Sequence, residues 1–485
     1  MTSILTLVTI IAYLLLLFAV ARRSSRNANN ETFFKGGRSQ SALVVGLALI
    51  GAPISGISLI SLPGSVAGSA FSYLQFMFGV VVGYTIIAYL LIPLFYRLNV
   101  TSLYEYLDSR FGVSSHRSGA WIFFISKVLS ASLRAFVVCA VVQQLLCSTL
   151  GVPFWATAVL FMLLVWLYTR KGGVASVVWT DVLKTVCMVA CIVLATVFVL
   201  RTLDLSLGEA VARASARGFT QIFFFDNPND SRHFAKMFLS GIFLIVANTG
   251  LDQDMMQRAL SSRTQRSAQR NMVLSSVLQV GVIGLMLLLG AVLHLYLVET
   301  DQSVAKPDEV FAFVATREGM PMILSVLLVL GIVSATFSTT GSALTSLTTS
   351  FTMDIFGGQK SLTEEQQTRV RKVAHIAIAA VLAVLMLAFE RWSNESAIIL
   401  FYRMASYTYG PLLGMFAFGI FSKRAVRDRL VPIVVVAAPL LSLLLDCNSK
   451  AWFGGYEFGF EIMLVNAALT IVGLYLISRK KSVSA

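Results

Sequence analysis

The chain is short of nearly everything a soluble enzyme is built from. Only 13% of its 485 residues are charged, about half the share found in an ordinary globular domain. Its 4 histidines are scattered, so no imidazole cluster is available for catalysis or for a transition metal. The 5 cysteines (Cys139, Cys147, Cys187, Cys191 and Cys447) lie mostly in apolar runs, without metal-ligand spacing. Their odd number argues against a disulfide framework. Acid is scarcer than base, 24 residues against 38, for a net charge of +14. In a soluble chain that excess would point to nucleic acid. Here no basic run carries interleaved aromatics, and the base falls in short segments between apolar runs. No His/Asp or Ser/His constellation recurs on one membrane face, which removes an integral-membrane enzyme. The first apolar run, Ile4–Ala21, lacks a basic leader and a small-residue cleavage site, so it reads as a retained span.

What the chain has in quantity is apolar surface: 57% hydrophobic residues and a mean hydropathy of +0.79. That composition predicts an all-α polytopic membrane protein. Runs long enough to cross a bilayer occur about thirteen times, at 3–21, 42–69, 72–96, 119–147, 153–169, 175–201, 236–256, 272–298, 321–355, 372–390, 396–421, 429–445 and 457–478. Every second connection is basic. Arg22, Arg23, Arg26, Lys35 and Arg38 follow the first run, and Arg97, Arg110 and Arg117 the third. Arg170 and Lys171, then Arg258, Arg263, Arg266 and Arg270, then Lys360, Arg369, Arg371 and Lys372 continue the pattern. Lys423, Arg424, Arg427 and Arg429 come next, and Arg479, Lys480 and Lys481 close the chain. Positive charge stays inside, which predicts an outer N-terminus, a cytoplasmic C-terminus and residence in the plasma membrane, the inner membrane of a bacterium. Two outer connections, 204–233 and 299–321, are long and carry amphipathic pieces that read as surface helices or lids. No soluble domain is attached at either end, which argues against a fused kinase or sensor.

Within the apolar runs, the stretch LALIGAPISGISLISLPGSVAG (47–68) is badly made for a plain helix. Gly51, Pro53, Gly56, Pro63 and Gly64 interrupt it, and Ser55, Ser58 and Ser61 put hydroxyls at mid-run. Pro53 has no N–H, so a carbonyl one turn earlier loses its partner. In hydrocarbon such a carbonyl must face protein, water or an ion. A kinked packing helix with a Gly64–Gly68 face and a transporter's broken helix both fit. A second polar break follows in ANTGLDQDMMQRAL, at Asn248, Thr249, Gly250, Asp252 and Gln253. The run 321–355 contains SATFSTTGSALTSLTTS, in which Ala335, Ser338, Thr339 and Ser342 share one helical face. Stacked hydroxyls supply hard oxygens for a small cation, or a small-residue face for close packing.

Charged residues at bilayer depth are functional candidates by default. Asp181 stands in GGVASVVWTDVLK, either as a cation ligand or as an i,i+3 partner of Lys184 near the inner surface. Arg134 lies near the middle of its run and cannot shed its charge. Its planar fork suits a carboxylate, whether a ligand's or that of an internal pair with Asp252 or Asp254. Lys127 reads as a snorkelling residue near the inner surface. Arg403 is either structural or ligand-facing.

At these residues the chain resembles the sodium:solute symporter family over nearly its whole length. The segments that carry the likeness are TFFKGGRSQS, LIGAPISGISLISLPGSVAG, TSLYEYLDSRFG, GGVASVVWTDVLK, LDQDMMQRALS, SATFSTTGSALTSLTTSFTMDIF and YTYGPLLGMFAFGIF, in that order. The resemblance implies a LeuT-like fold of two inverted five-helix repeats, 42–201 and 236–421. One extra helix (3–21) would precede them and two (429–478) follow, in a single membrane domain that works as a monomer in the bilayer. It implies a sodium site from the carbonyls of Gly51, Ile54 and Ala335 and the hydroxyls of Ser338 and Thr339. A second sodium would lie at Asp181 with Ser338 and Ser342, except that Gly341 stands where such members have a hydroxyl. Substrate positions fall on Ser55, Ser58, Gln75, Arg134 and Asn248. The pattern is similar to the sialic-acid branch and departs from the sugar branch, which has Glu-Gln where this chain has Ile57-Ser58. The implied activity is uptake of a small carboxylate-bearing solute driven by inward sodium flow through alternating access. Neutral sugars, amino acids, vitamins and inorganic anions stay open as substrates, and a sodium-dependent sensor or channel as a different class.

Overall fold

A computed structural model of the chain describes residues 2–24, 33, 42–51, 54–98, 102–143, 147–148, 151–171, 173–227, 230–356, 363–392, 397–454, 456, 458–459 and 461–479. Pro53, most of the segment TFFKGGRSQS, and the basic residues Arg26, Lys35, Arg38, Lys360, Lys480 and Lys481 lie outside them. Helix α1 (Thr2–Ser24) precedes a broken pair, α2 (Ala42–Gly51) and α3 (Gly56–Ser69). Then come α4 (Tyr73–Leu98), α5 (Val113–Val142), α6 (Phe154–Thr169) and α7 (Gly173–Thr202). A second broken pair, α8 (Phe234–Gly250) and α9 (Gln253–Leu260), bends by 74°. Helices α10 (Gln265–Glu299), α11 (Met322–Phe356), α12 (Glu364–Trp392), α13 (Ala397–Phe421), α14 (Val431–Cys447) and α15 (Ile462–Leu476) complete the bundle. Among the described residues, 7 helices are long and apolar enough to cross a membrane, or up to 9 if each bent pair is one span. α6 and α15 are shorter apolar helices.

Helix α11 is the centre of the molecule. Every residue from Gly331 to Ser350 is buried, and α7 runs along it in the most extensive helix pairing among the described residues. α3, α5 and α9 pack on its other sides. Such crowding needs small side chains, and the Ser/Thr/Ala/Gly run supplies them. Many of the hydroxyls donate within the helix: Thr336 donates to the Ile332 carbonyl at 2.9 Å, Thr345 to Gly341 at 2.9 Å and Thr348 to Leu344 at 2.7 Å. A hydroxyl that donates to its own helix keeps its oxygen lone pairs for another partner.

α4 and α8 cross at a mutual close approach. A Cβ on Gly79 would fall 2.0 Å from the Phe238 carbonyl oxygen, and one on Gly241 2.2 Å from that of Phe76. Outer helices α12 and α14 turn apolar side chains outward, with Val384 and Ile433 each 64% exposed, as lipid-facing surfaces do. In the long connection 299–321, the short helix Val310–Ala315 buries Val310, Phe311, Val314 and Ala315 and packs on α3. In the connection 204–233, Leu207–Ala216 is an amphipathic helix. Its Ser206 Oγ accepts from the Glu209 N–H at 3.3 Å, and the Glu209 carboxylate accepts the Ser206 N–H at 2.9 Å. This reciprocal cap holds the first turn.

Candidate functional site

The first break is stitched from outside the helix. Because Pro53 has no N–H, the Leu49 carbonyl is left without its i+4 donor. Gln279 on α10 supplies that donor, its amide nitrogen lying 2.9 Å from the Leu49 oxygen. The Gly51 carbonyl accepts the Ile54 N–H at 3.1 Å. Thr185 on α7 donates to the Leu47 carbonyl at 3.2 Å. Past the break, Ser55 is buried, and Ser58 Oγ lies 3.5 Å from the Ser55 N–H.

The second break is closed by its own motif. Asp252 caps α9, its carboxylate accepting the N–H groups of Asp254 at 2.9 Å and Met255 at 3.3 Å, an N-cap of the usual kind. Gln253 accepts the Leu103 N–H at 2.9 Å, and Tyr104 donates to the Leu251 carbonyl at 3.1 Å. Helix α9 is polar in composition, yet all of its residues are buried. Its inward turn carries charge into the core.

That charge forms a connected cluster between α5, α7, α9 and α11. Lys127 lies 3.0 Å from Asp252 and 2.7 Å from Asp254. Tyr409 on α13 donates to Asp252 at 2.5 Å. Arg258 Nη1 meets Asp254 at 2.8 Å and its Nε meets Asp181 Oδ2 at 2.6 Å. Ser342 bonds to both Asp254 and Arg258, and Ser338 donates to Asp181 Oδ1. Lys184 Nζ stands 3.6 Å from that same Asp181 oxygen.

Several expectations change. Lys127 does not snorkel: it is 1% exposed and bonded to two carboxylates. Asp252 and Asp254 pair with Lys127, and Asp254 also with Arg258. Arg258, counted above with the loop charges, is 1% exposed and joins three elements. The Asp181–Lys184 pair lies in the core with neither side chain exposed, rather than at the inner surface. The group expected to hold a second sodium, Asp181 with Ser338 and Ser342, is bridged by the Arg258 guanidinium. At Gly341 a Cβ would fall 1.6 Å from Tyr168 Oη. That phenol donates to the Phe337 carbonyl at 2.6 Å and fills the space of a side chain.

A cavity opens between the two breaks. It is lined by Ser55 just before α3 and Ser58 within it, Arg134 and Lys127 of α5, and Asn248 of α8, with Gln279 and the apolar Phe76, Met77 and Ile283. Arg134 Nε donates to the Ser130 carbonyl at 3.3 Å, which aims the guanidinium along α5. Gln75 is not among the lining residues. Its amide nitrogen donates to the Arg232 carbonyl at 2.8 Å and its oxygen accepts the Phe224 N–H at 3.2 Å. It docks the outer connection onto α4. In that connection Asp230 holds Arg232 at 2.8 Å, and the hydrogen bonds from Arg232 keep the Asp230 carboxyl below its ordinary range. Arg403 is exposed and does not line the cavity.

Known proteins share this architecture. A substrate-bound, outward-open Na+-coupled sialic acid symporter superposes with a TM-score of 0.85 at 19% identity, covering 98% of this chain and 99% of that one. A nucleobase-cation-symport-1 family transporter in a closed conformation matches at a TM-score of 0.59 and 14% identity, over 93% and 94%. At those identities the likeness is one of fold, LeuT-like in both. By sequence, the chain is 28% identical to the human sodium/iodide cotransporter over 53% of its own length and 39% of that protein's. It is 24% identical to sodium-coupled monocarboxylate transporter 1 of Xenopus laevis, covering 88% of this chain and 67% of that one. It is 23% identical to the sodium/sialic acid symporter SiaT of Proteus mirabilis (strain HI4320), over 89% and 88%. The model of the Sodium:solute symporter family matches residues 33–428. With two broken helices facing a polar cavity at mid-bundle, and that match across most of its length, the chain belongs to the sodium:solute symporter family.

Proposed function

We propose that this chain couples inward sodium flow to the uptake of a small carboxylate-bearing solute. Membership in the family makes it a multi-pass membrane transporter driven by sodium and not an enzyme. The choice of solute rests on one observation. Arg134, a permanent cation with a planar fork, lines a cavity together with the polar Ser55, Ser58, Asn248, Thr249 and Gln279, while the other lining cation, Lys127, is already paired with Asp252 and Asp254. A guanidinium in a cavity whose other cation is already neutralised selects a planar anion, and the neutral donors and acceptors beside it suit one that also carries hydroxyl or amide groups. The names of the sialic acid and monocarboxylate relatives agree with that chemistry.

Sodium is assigned to the carbonyls of Gly51, Ile54 and Ala335 and the hydroxyls of Ser338 and Thr339. Thr339 donates to the Ala335 carbonyl at 3.0 Å, so these two oxygens sit side by side on α11. A cation held there ties α11 to α2 and α3 and completes the cavity. With Arg258 across Asp181 and Ser342, one sodium per cycle is the stoichiometry this arrangement supports. Charge moved across the membrane contributes about 2.3 kcal/mol per 100 mV. The repeats 42–201 and 236–421 each open with a broken helix, in keeping with inverted halves around one site. The alternating basic connections support an outer N-terminus, and the monomer is the working unit in this reading.

The test is thermal unfolding of the purified protein in sodium or potassium, with sialic acid, lactate, a neutral hexose, proline or pantothenate. A ligand that binds only the folded form raises the midpoint. The expected shift needs both sodium and a carboxylated solute and disappears in Arg134→Ala. A sodium-dependent shift with the neutral hexose alone would sink the carboxylate assignment.

A further inference from the structure

The buried charge cluster balances among protein side chains. Asp181, Asp252 and Asp254 face Lys127, Lys184 and Arg258, three carboxylates against three cations, and none of the six is more than 5% exposed. Five of them are tied by the hydrogen bonds given above. Lys184 is the exception. Its ammonium is fully buried and, among the described residues, has no hydrogen-bond partner. The nearest carboxylate oxygen is Asp181 Oδ1 at 3.6 Å. A buried ammonium with three unused donors is a weakly held cation.

Its position matters more than its isolation. The Asp181 oxygen it faces is the one to which Ser338 donates. Its Cε lies 3.2 Å from where a Cβ on Gly51 would stand, so the stem runs against the end of α2. Ser338 and Gly51 are on the two sides of the sodium cage assigned above. The ammonium thus shares a carboxylate oxygen with Ser338, and its stem abuts Gly51, on a flexible four-carbon tether beside that cage. Sodium entering a neutral cluster adds an uncompensated positive charge at close range, and the low dielectric of the interior makes that repulsion strong.

We propose that Lys184 is a tethered cation that competes with sodium for this cage. With sodium away, the ammonium holds positive charge against Asp181 and lets the empty carrier return without a bare hollow of oxygens. Sodium drives it aside and takes its place. The inference rests on the sodium cage named under the proposed function and adds a determinant of its affinity, one that a purely structural lysine would not be.

The experiment is a sodium titration of the thermal midpoint, without solute, at constant ionic strength in potassium. It is run on the wild type, Lys184→Gln, Lys184→Met, Lys184→Arg and Thr339→Ala. Removing the charge in K184Q and K184M is expected to lower the sodium half-point at least tenfold, about 1.4 kcal/mol. K184R keeps a permanent charge and is expected to bind sodium no more tightly than the wild type. Half-points in K184Q and K184M within twofold of the wild type, or weaker, would overturn the competition. Should both neutral variants fail to fold, K184R decides: tenfold tightening there overturns it, and unchanged or weaker binding supports it. A wild type and T339A that respond to sodium alike would remove the cage itself, and the proposal with it. If T339A loses the response while K184Q does not tighten, the cage stands and the role of Lys184 alone falls.

Discussion

Lys127→Met is the substitution whose consequence the charge cluster defines most sharply. Methionine keeps the length of the stem and removes the ammonium that lies 3.0 Å from Asp252 and 2.7 Å from Asp254. Neither carboxylate is left bare. Asp252 retains Tyr409 at 2.5 Å and the N–H groups of Asp254 and Met255, and Asp254 retains Arg258 at 2.8 Å. Breaking one partner out of a buried ion pair destabilises by about 3–5 kcal/mol. The surviving bonds place this case at the low end, about 3 kcal/mol. The penalty is the uncompensated charge of Asp252, so removing that charge should relieve it. Asp252→Asn keeps the oxygen that caps α9. In that background Lys127→Met should be milder than in the wild type, with a coupling of about 1–3 kcal/mol. Both quantities come from denaturant unfolding in detergent, followed by tryptophan fluorescence. A single-variant loss under about 1 kcal/mol, or strictly additive effects, would mean that Lys127 is not the counter-ion of the break.

Three further outcomes follow from the same geometry. Gln279→Leu orphans the Leu49 carbonyl and should lower stability by about 1–3 kcal/mol; a change within about 0.5 kcal/mol would show that the break does not depend on that amide. Gly341→Ala should displace the Tyr168 phenol at a loss of about 1–3 kcal/mol, and combined with Tyr168→Leu it should lose less than the sum of the two singles, additivity being the contrary result. Gln75→Leu should speed proteolysis of the outer connection 204–233 while leaving solute affinity near the wild-type value. A large rise in KM with the connection still protected would return Gln75 to the substrate.

The membrane class, the broken helix and the oxygen face were legible in the amino-acid order because each is a local property. Hydropathy over a run decides whether it can cross a bilayer. A proline removes its own N–H wherever it stands, and residues three and four apart share a helical face in any fold. The candidate cage of Gly51, Ile54, Ala335, Ser338 and Thr339 needed only those rules and the family likeness.

Partnership across helices is not a local property. Nothing near Lys127 announces that Asp252 and Asp254, more than a hundred residues later, will neutralise it. Its depth in a hydropathy run suggested water instead. Arg258 looked like a loop charge because the polar sequence of α9 reads as the end of a span, whereas the 74° bend folds that helix back into the protein. An i,i+4 spacing from Asp254 to Arg258 was the one local hint. Gln75 went to the outer connection, and Tyr168 to the space opposite Gly341, because docked elements claim whatever group is within reach. The sequence alone therefore determined which residues are able to break a helix, carry charge in hydrocarbon or offer oxygen to a cation. Tertiary packing alone decided which of them meet, since a buried charge takes the partner that the fold places within about 3 Å, whatever its distance along the chain.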